Sequence, residues 1–382
     1  MRFPGFSGEW KESLLQDVAT LSKGAGISKD QLSKEGNPCI LYGELYTKYN
    51  SEVITEIYSR TNVDLKNLVL SKKNDVIIPS SGETAIDIST ARCVPFDNIF
   101  LGGDLNIIRL NGHDGRFLSY QLNGVRRLDI AKVAQGVSVV HLYGENLRRL
   151  KVRFPRKEEQ EKIAAFMTVI DARIQTQIGA IEDYKKLKGY LIDELIEQRG
   201  RTMKIGDIIA QRTERNRKDD DYTVLSVNNQ KGFIAQSEQF EEREVASEDK
   251  SNYKIVRHDD FAYNPARINV GSIARLINHD CGIVSPMYIC FHADEGVLPE
   301  FLGYFFESSY FATEVDKRLE GSVRLCLSYD GLCDIPIQIP DVEKQRAIIQ
   351  KLDAVSQKIV LEEQCLDLFE QQKAYLLKNM FV

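Results

Sequence analysis

The feature that most constrains this chain is an internal repeat. Residues 154–163 read FPRKEEQEKI and residues 339–348 read IPDVEKQRAI, an offset of 185 positions. At that offset Pro155 falls on Pro340, Glu158 on Glu343, Gln160 on Gln345 and Ile163 on Ile348. The register then holds without a gap to Lys188 over Lys373, Tyr190 over Tyr375 and Leu191 over Leu376. Upstream it aligns Gly136 with Gly321, Leu142 with Leu327, Leu147 with Leu332 and, further back, Asp75 with Asp260. One residue out of step, Phe117, Leu118 and Tyr120 match Phe301, Leu302 and Tyr304. A chain of 382 residues built this way holds two copies of one plan, each a variable globular part followed by a well-matched tail.

The tails read as long helices. In the second, Ile348, Leu352, Val355, Ile359, Leu366, Phe369 and Leu376 keep a 4-3 spacing, completed by Met380. In the first, Ile163, Met167, Ile170, Ile174, Ile181 and Leu191 keep the same spacing, with Tyr184 and Leu195. Eight of ten seam positions are apolar in each copy, which is a coiled-coil seam sustained over about five heptads. The polar interruptions coincide, Gln177 with Glu362 and Lys188 with Lys373, and polar seam residues fix register at a cost in stability. Pro155 and Pro340, followed by Glu158, Glu159, Asp341 and Glu343, suit helix starts, and Arg199 with Gly200 suits the end of the first helix. Gly179 and Gly189 weaken that helix by up to ~1 kcal/mol each against alanine. A two-fold relation between the halves requires the helices to run antiparallel, with one globular part at each end of a rod of ~60 Å.

The globular parts read as mixed α/β. Short β-like runs (NPCILYG, DVIIPS, LNIIRL, YTVLSVN, MYICFH) alternate with turn signals, and helix-like pieces at 117–134 and 300–319 follow late in each half. No apolar stretch reaches the ~18 to 20 residues that a membrane span needs, and the MRFPGFSGEWKE start has no apolar core, so a soluble cytoplasmic protein is expected. Seven cysteines without a close CxxC pair argue for reduced thiols rather than disulfides or zinc, and five scattered histidines offer no metal constellation.

Motifs for catalysis are missing: there is no P-loop, no GxGxxG and no GxSxG elbow. Asn264-Pro265-Ala266-Arg267 lacks the second proline and the aromatic of an amino-methyltransferase motif, and Glu248-Asp249-Lys250 lacks the partner acid of a nuclease. Charge is uneven, +3 over residues 1–154 and −7 over 200–339, so any nucleic-acid contact in the second half must be a local patch. Five patches qualify. YGELYTKY supplies Tyr42, Tyr46, Lys48 and Tyr49, and SSGET supplies Ser80, Ser81, Gly82 and Thr84 for phosphate. QRTERNRK brings Arg212, Arg215, Arg217 and Lys218; VNNQKG brings Asn228, Asn229, Gln230 and Lys231; NPARINVGS brings Asn264, Arg267, Asn269 and Ser272. Asn and Gln suit adenine edges and Arg suits guanine, while the same residues also suit ordinary polar loops.

The opening RFPGFSGEWKE with LLQDV, the run LSKGAGISKD…GNPCILYGELYTKY, both proline-plus-EQ helix starts and the half-repeat together resemble the specificity subunit of type I restriction-modification systems, over essentially the whole chain. The resemblance implies an α+β fold: two mixed α/β target-recognition domains joined by two long antiparallel coiled-coil helices in a pseudo-two-fold repeat. It implies domains at 1–153 and 201–338, with spacer helices at 154–200 and 339–382. Each domain would read half of a split double-stranded DNA site, and the helices would set the gap and dock two modification (methyltransferase) subunits. The first four patches match the family's variable recognition loops in position. The chain itself would be non-catalytic and hold no cofactor or metal. S-adenosylmethionine for adenine methylation, and ATP with magnesium on a restriction subunit, would belong to the partners. Three other readings remain open: a self-sufficient nuclease or methyltransferase, which the missing motifs disfavour; the DNA-recognition subunit of a type II-like modification enzyme; and a coiled-coil adaptor that binds no DNA.

Overall fold

The computed structural model describes residues 2–63, 68–136, 138–196, 200–218, 220–229, 231–239, 249–321 and 324–381. Arg199, Gln230 and Glu248 lie outside them. Four helices carry the packing: α1 (Gly115–Asn123), α2 (Lys157–Ile196), α3 (Pro299–Phe306) and α4 (Val342–Asn379). Each domain has a central antiparallel sheet. Its strands are β1 (Ala19–Lys23), β2 (Asp75–Pro79), β3 (Arg92–Val94) and β4 (Leu105–Leu110) in the first copy. In the second they are β5 (Ile209–Arg212), β6 (Phe261–Tyr263), β7 (Ile273–Arg275) and β8 (Ile289–Ala293). The orders are β1-β4-β2-β3 and β5-β8-β6-β7, the same topology twice.

Contacts divide the chain into two compact units, Met1–Gly179 with Gln364–Val382, and Ala180–Glu363. Each unit takes a piece of both long helices. In each, the beginning of one helix shares a core with the end of the other, so the two run antiparallel.

Strand periodicity explains the layers. Successive side chains on a strand point to opposite faces. In the first unit Val76, Ile78 and Ile108 enter the core that α1, α2 and α4 share, while Ile77, Leu105 and Ile107 enter a second core. In the second unit Phe261, Tyr263 and Phe291 face the helices, and Ala262 and Cys290 face away. The far core belongs to a second sheet. It has five strands in the first unit, with Asn37–Ile40 parallel to Phe100–Leu101, and four in the second, with Val224–Asn228 parallel to Cys281–Val284. A strand pair closes each globular part at its foot, Lys11–Leu14 with Lys151–Phe154 and Arg201–Lys204 with Pro336–Ile339.

The seam residues occupy these cores. Ile163, Met167, Ile170, Ile174 and Leu376 are buried in the first unit, with Leu366 and Phe369 packed against them and Arg173 4.2 Å over the Phe369 ring. In the second, Ile348, Leu352 and Ile359 are buried, as is Ile181, while Leu191 and Val355 are half-buried. The helix ends are buried too: Met380 and Phe381 join Phe117 in the first unit, and Leu195 and Ile196 join Phe305 and Ile337 in the second. The RFPGF start is a strap on α2, with Arg2 paired to the buried Glu159 at 2.7 Å and Phe3 edge-on to Phe166.

The repeated glutamine is a clamp. Gln160 accepts from the Asp114 amide (3.0 Å) through Oε1 and donates to the Pro155 carbonyl (2.8 Å) through Nε2. Gln345 accepts from the Leu298 amide (2.9 Å) and donates to the Pro340 and Gly296 carbonyls (2.9 and 3.0 Å). Asp114 and Leu298 are the N-caps of α1 and α3, so one buried side chain in each copy ties a long helix to its domain. A second tie changes its letters but not its chemistry. Tyr120 bonds Asp171 (2.7 Å) and Thr168 (3.4 Å), whereas Tyr304 bonds Asp353 (2.6 Å) and Ser356 (3.3 Å). The carboxylate and the hydroxyl have exchanged places three residues apart.

The seam lysines also act in parallel. Lys373 reaches the buried Glu52 and Asp171 (2.6 and 2.7 Å), and Lys188 reaches Glu307 (2.7 Å) over the Tyr304 ring. Burial works against the Lys373 ammonium, but the two carboxylates outweigh it and raise its pKa. Asp171 is raised by burial and by Glu52, against the pull of Lys373.

The helix-like pieces at 117–134 and 300–319 are each two short helices, not one. Gly124 breaks the first: a Cβ there would meet the Leu377 carbonyl oxygen at 2.7 Å, so α1 must stop to let α4 pass. Ser308 breaks the second by capping the next helix, its hydroxyl accepting from Phe311 (3.1 Å). Pro155 and Pro340 stand just outside the helices they precede.

Gln345→Ala and Gln160→Ala each strand buried backbone groups, and urea denaturation is expected to show a loss of about 1–3 kcal/mol apiece. His113 supplies a pH dependence. It stacks on Phe154 at 4.0 Å, and Gln160, its Oε1 committed to Asp114, offers Nε2 to His113 Nδ1 at 3.0 Å. Burial, with Lys11 and Lys157 nearby, holds the imidazole below its ordinary value. The unfolded chain therefore takes the proton first as pH falls through about 6.5, and the native state loses stability on the acid side. Denaturation at pH 7.5 and 5.5 is expected to show a smaller drop for His113→Phe than for the wild type.

Candidate nucleic-acid interface

In the first unit two of the sequence patches converge. The Asn37–Ile40 strand runs into a single helical turn, Glu44–Thr47, whose buried Glu44 takes the Leu41 amide (3.0 Å), the Lys48 ammonium (2.6 Å) and the Ser59 hydroxyl. That fixes Lys48 to a carboxylate. Tyr49 is buried beside Tyr58, and its backbone carbonyl accepts from Arg92. Tyr42 and Tyr46 remain half-buried at the surface, and a Cβ on Gly82 would lie 3.8 Å from the Tyr46 hydroxyl. Burial raises the Tyr46 pKa, with Tyr42, Asp87 and Glu83 adding to it, so the tyrosines and the SSGET loop share one patch. Within SSGET, Ser80 and Ser81 are buried and the Thr84 hydroxyl caps Asp87, bonding its amide (3.1 Å) and carboxylate (2.6 Å). What faces solvent is Gly82, Glu83, Thr84 and the two tyrosines.

In the second unit the patches separate into scaffold and surface. Arg212 is scaffold: it grips the buried Asp260 with Nε (3.1 Å) and Nη2 (2.9 Å), and Asp260 also receives the Arg257 amide (2.7 Å). The first unit repeats this arrangement around Asp75, which takes the Lys72 amide and both arms of Arg109. Arg109 lies on β4 but Arg212 on β5, so different strands satisfy the same carboxylate. Arg215 leans on Asn252, while Arg217 and Lys218 are exposed.

The last two patches meet. NPARINVGS folds on itself: the Asn264 carbonyl accepts from Arg267 (3.0 Å), its side chain caps Ala266 (3.1 Å), and Gly271 closes the loop in the left-handed region (φ +83°). Asn264 and Ser272 are buried in holding that shape, and Arg267 and Asn269 are exposed. Asn229 donates to the Val270 carbonyl (3.3 Å), bringing the VNNQKG turn alongside. Asn228, Asn229, Lys231 and Asn269 then line a cleft of about 770 Å³ whose other wall includes Lys188, Arg275 and Tyr304. No motif marked Lys188 or Arg275 as part of such a wall. The repeat marked Lys188 only as a polar interruption in a seam, and Arg275 gets its place from ion pairing with Glu300 (2.8 Å).

The first surface offers tyrosine rings and a hydroxyl, and the second offers side-chain amides and cations, on loops held by buried clamps. These groups suit base edges and phosphates better than a small-molecule pocket. Among the described residues no helix is long and apolar enough to cross a membrane.

The class defined by this fold is a duplicated α+β protein, two like domains each tied to a pair of long antiparallel helices. Residues 7–182 match the family model of the type I restriction modification DNA specificity domain. No curated protein is detectably similar in sequence. Among solved structures, the S subunit of a type I restriction-modification system from M. genitalium superposes with a TM-score of 0.59 at 16% identity, covering 100% of this chain and 99% of that one. A chain from a structure of the type I R-M system concerned with complex assembly and conformational transition gives 0.60 at 13% identity, over 97% of both. Likeness at this identity establishes the fold, and the match to the type I restriction modification DNA specificity domain covers residues 7–182, a little under half of the chain.

Arg267 is exposed and its side chain makes no hydrogen bond or ion pair among the described residues. Arg267→Ala is expected to relax recognition at one base pair, by about 1–3 kcal/mol where it reads a guanine. Competition binding against single-position variants of the site checks this, and equal weakening on every sequence would make Arg267 a phosphate contact.

Proposed function

We propose that this chain is the sequence-reading subunit of a type I restriction-modification complex, each domain reading one half of a bipartite DNA site. The observation that carries the reading is a scaffold kept twice beneath surface loops that differ. Sheet order, glutamine clamp, tyrosine tie and caged aspartate recur in both units. The loops they hold up, YGELYTKY and SSGET against VNNQKG and NPARINVGS, share no pattern of side chains. Two different readers on one frame suit an asymmetric, split site.

On this reading α2 and α4 set the spacing between half-sites and dock two methyltransferase subunits. Those partners hold S-adenosylmethionine and methylate adenine, restriction subunits bring ATP and magnesium, and the chain itself does no chemistry. The acidic second domain, −7 over 200–339, binds duplex only weakly by itself, and basic surfaces on the partners supply the missing attraction.

The test is sequencing of the source genome with base-modification detection, with and without this gene. Loss of N6-methyladenine from one bipartite motif is the expected result, and an unchanged methylation pattern with no DNA binding by the reconstituted complex would sink the reading. Four residues inserted into one long helix add ~6 Å of rise, nearly two base pairs at ~3.4 Å. The preferred spacer is expected to change accordingly, and an unchanged spacer would remove the ruler role from the helices.

A further inference from the structure

Beside each candidate loop stands a hairpin that no sequence motif flagged. In the first unit Gln135 and His141 exchange both backbone hydrogen bonds (2.9 and 2.7 Å), and in the second Glu320 and Cys326 do the same (2.9 and 2.8 Å). The pairs are 185 residues apart. Each hairpin turns on a glycine in the left-handed region, Gly136 (φ +123°) and Gly321 (φ +120°). A Cβ on either would strike a carbonyl across the turn, that of Val139 at 2.1 Å or that of Arg324 at 2.4 Å, so only glycine fits.

Each hairpin is also fastened to a candidate loop at the same place. The Leu142 amide donates to the Ser80 carbonyl (2.9 Å) and Val140–His141 pairs with Ser81–Gly82, against the SSGET loop. The Leu327 amide donates to the Pro265 carbonyl (3.1 Å), against the NPARINVGS loop. Ser80 and Pro265 are again 185 apart. The two hairpin bonds and the amide-to-carbonyl fastening are therefore copied, but the exposed residue they present is not. Val139 stands at 53% exposure, and the same position in the second copy is the exposed Arg324, whose side chain has no partner among the described residues. Burial does not explain these residues, because neither side chain enters a core.

We propose that this hairpin position, Val139 in the first domain and Arg324 in the second, is a sequence-determining contact to the DNA half-site read by its domain. An apolar tip suits the methyl of thymine, and an arginine suits the O6 and N7 edge of guanine. The inference rests on the DNA-reading function proposed above and adds to it a second reading element per domain.

The experiment exchanges the tips in the full chain, reconstituted with its methyltransferase subunits. Val139→Arg and Arg324→Val are each tested on a plasmid library of randomised sites by base-modification sequencing, and on the original duplex by equilibrium binding. Thermal midpoints are compared to confirm that both variants fold. Arg324→Val is expected to change or relax only the half-site of the second domain, with about tenfold weaker binding to the original site. Val139→Arg is expected to alter only the other half-site. Folded variants that keep the wild-type motif and affinity would overturn the proposal while leaving the function intact, and so would an Arg324→Val variant weakened equally on all sequences. A wild-type complex that modifies no bipartite motif would overturn both.

Discussion

Most of this architecture depends on one buried amide. Gln160 and Gln345 each bind the N-cap amide of a domain helix and the carbonyl of the proline that introduces a long helix. An uncharged side chain that both donates and accepts can join two backbone segments whose polar groups would otherwise be buried without partners, a debt of about 1–3 kcal/mol for each group. A charged residue there would bring a desolvation cost of several kcal/mol, and an apolar one would leave the amide and carbonyl unpaired. The angle at which each domain helix meets its long helix is thus set by hydrogen-bond geometry rather than by apolar packing alone.

With that junction fixed, the other repeated ties can vary. The tyrosine needs one carboxylate and one hydroxyl within reach and is indifferent to which comes first along the helix. The caged aspartate needs a guanidinium and accepts it from either of two neighbouring strands. What persists through the duplication is the requirement that a buried polar group be satisfied, and the residue that satisfies it is free to move. The same economy leaves the loop surfaces free to diverge.

This explains how much could be read from the sequence. The repeat and the helical seam were legible because they rest on local periodicity, and the EQ motif marked the clamp without revealing its partners. The two-sheet layering was not legible, since it depends on Ile77 and Ile78 choosing opposite faces of a strand that reads as one apolar run. The candidate patches were legible as loops but not as surfaces. Composition cannot tell Thr84, which is exposed, from Ser80 and Ser81, which are not, and it groups Arg212 with Arg217 although only the first is spent on a buried carboxylate. The paired hairpins left a trace in the aligned Gly136 and Gly321, but their fastening to Ser80 and Pro265 is long-range and has no local signature.

The discontinuity of the first unit bears on how the chain is made. Its core includes Leu376, Met380 and Phe381, so the domain at the start of the chain is finished by residues near position 380. At about 5–20 residues per second, a ribosome that has passed Gly179 needs roughly 10–40 seconds more to deliver them. For that interval Phe117 and Tyr120, which the last residues cover, and the Ile163 to Ile174 stripe stand without the far side of their core. The first domain is synthesised first but completed last. Nascent chains of this protein should therefore lean on chaperones that shield apolar surface, and premature termination in α4 beyond Glu363 should leave the first domain, rather than the second, as the half exposed to aggregation and proteolysis.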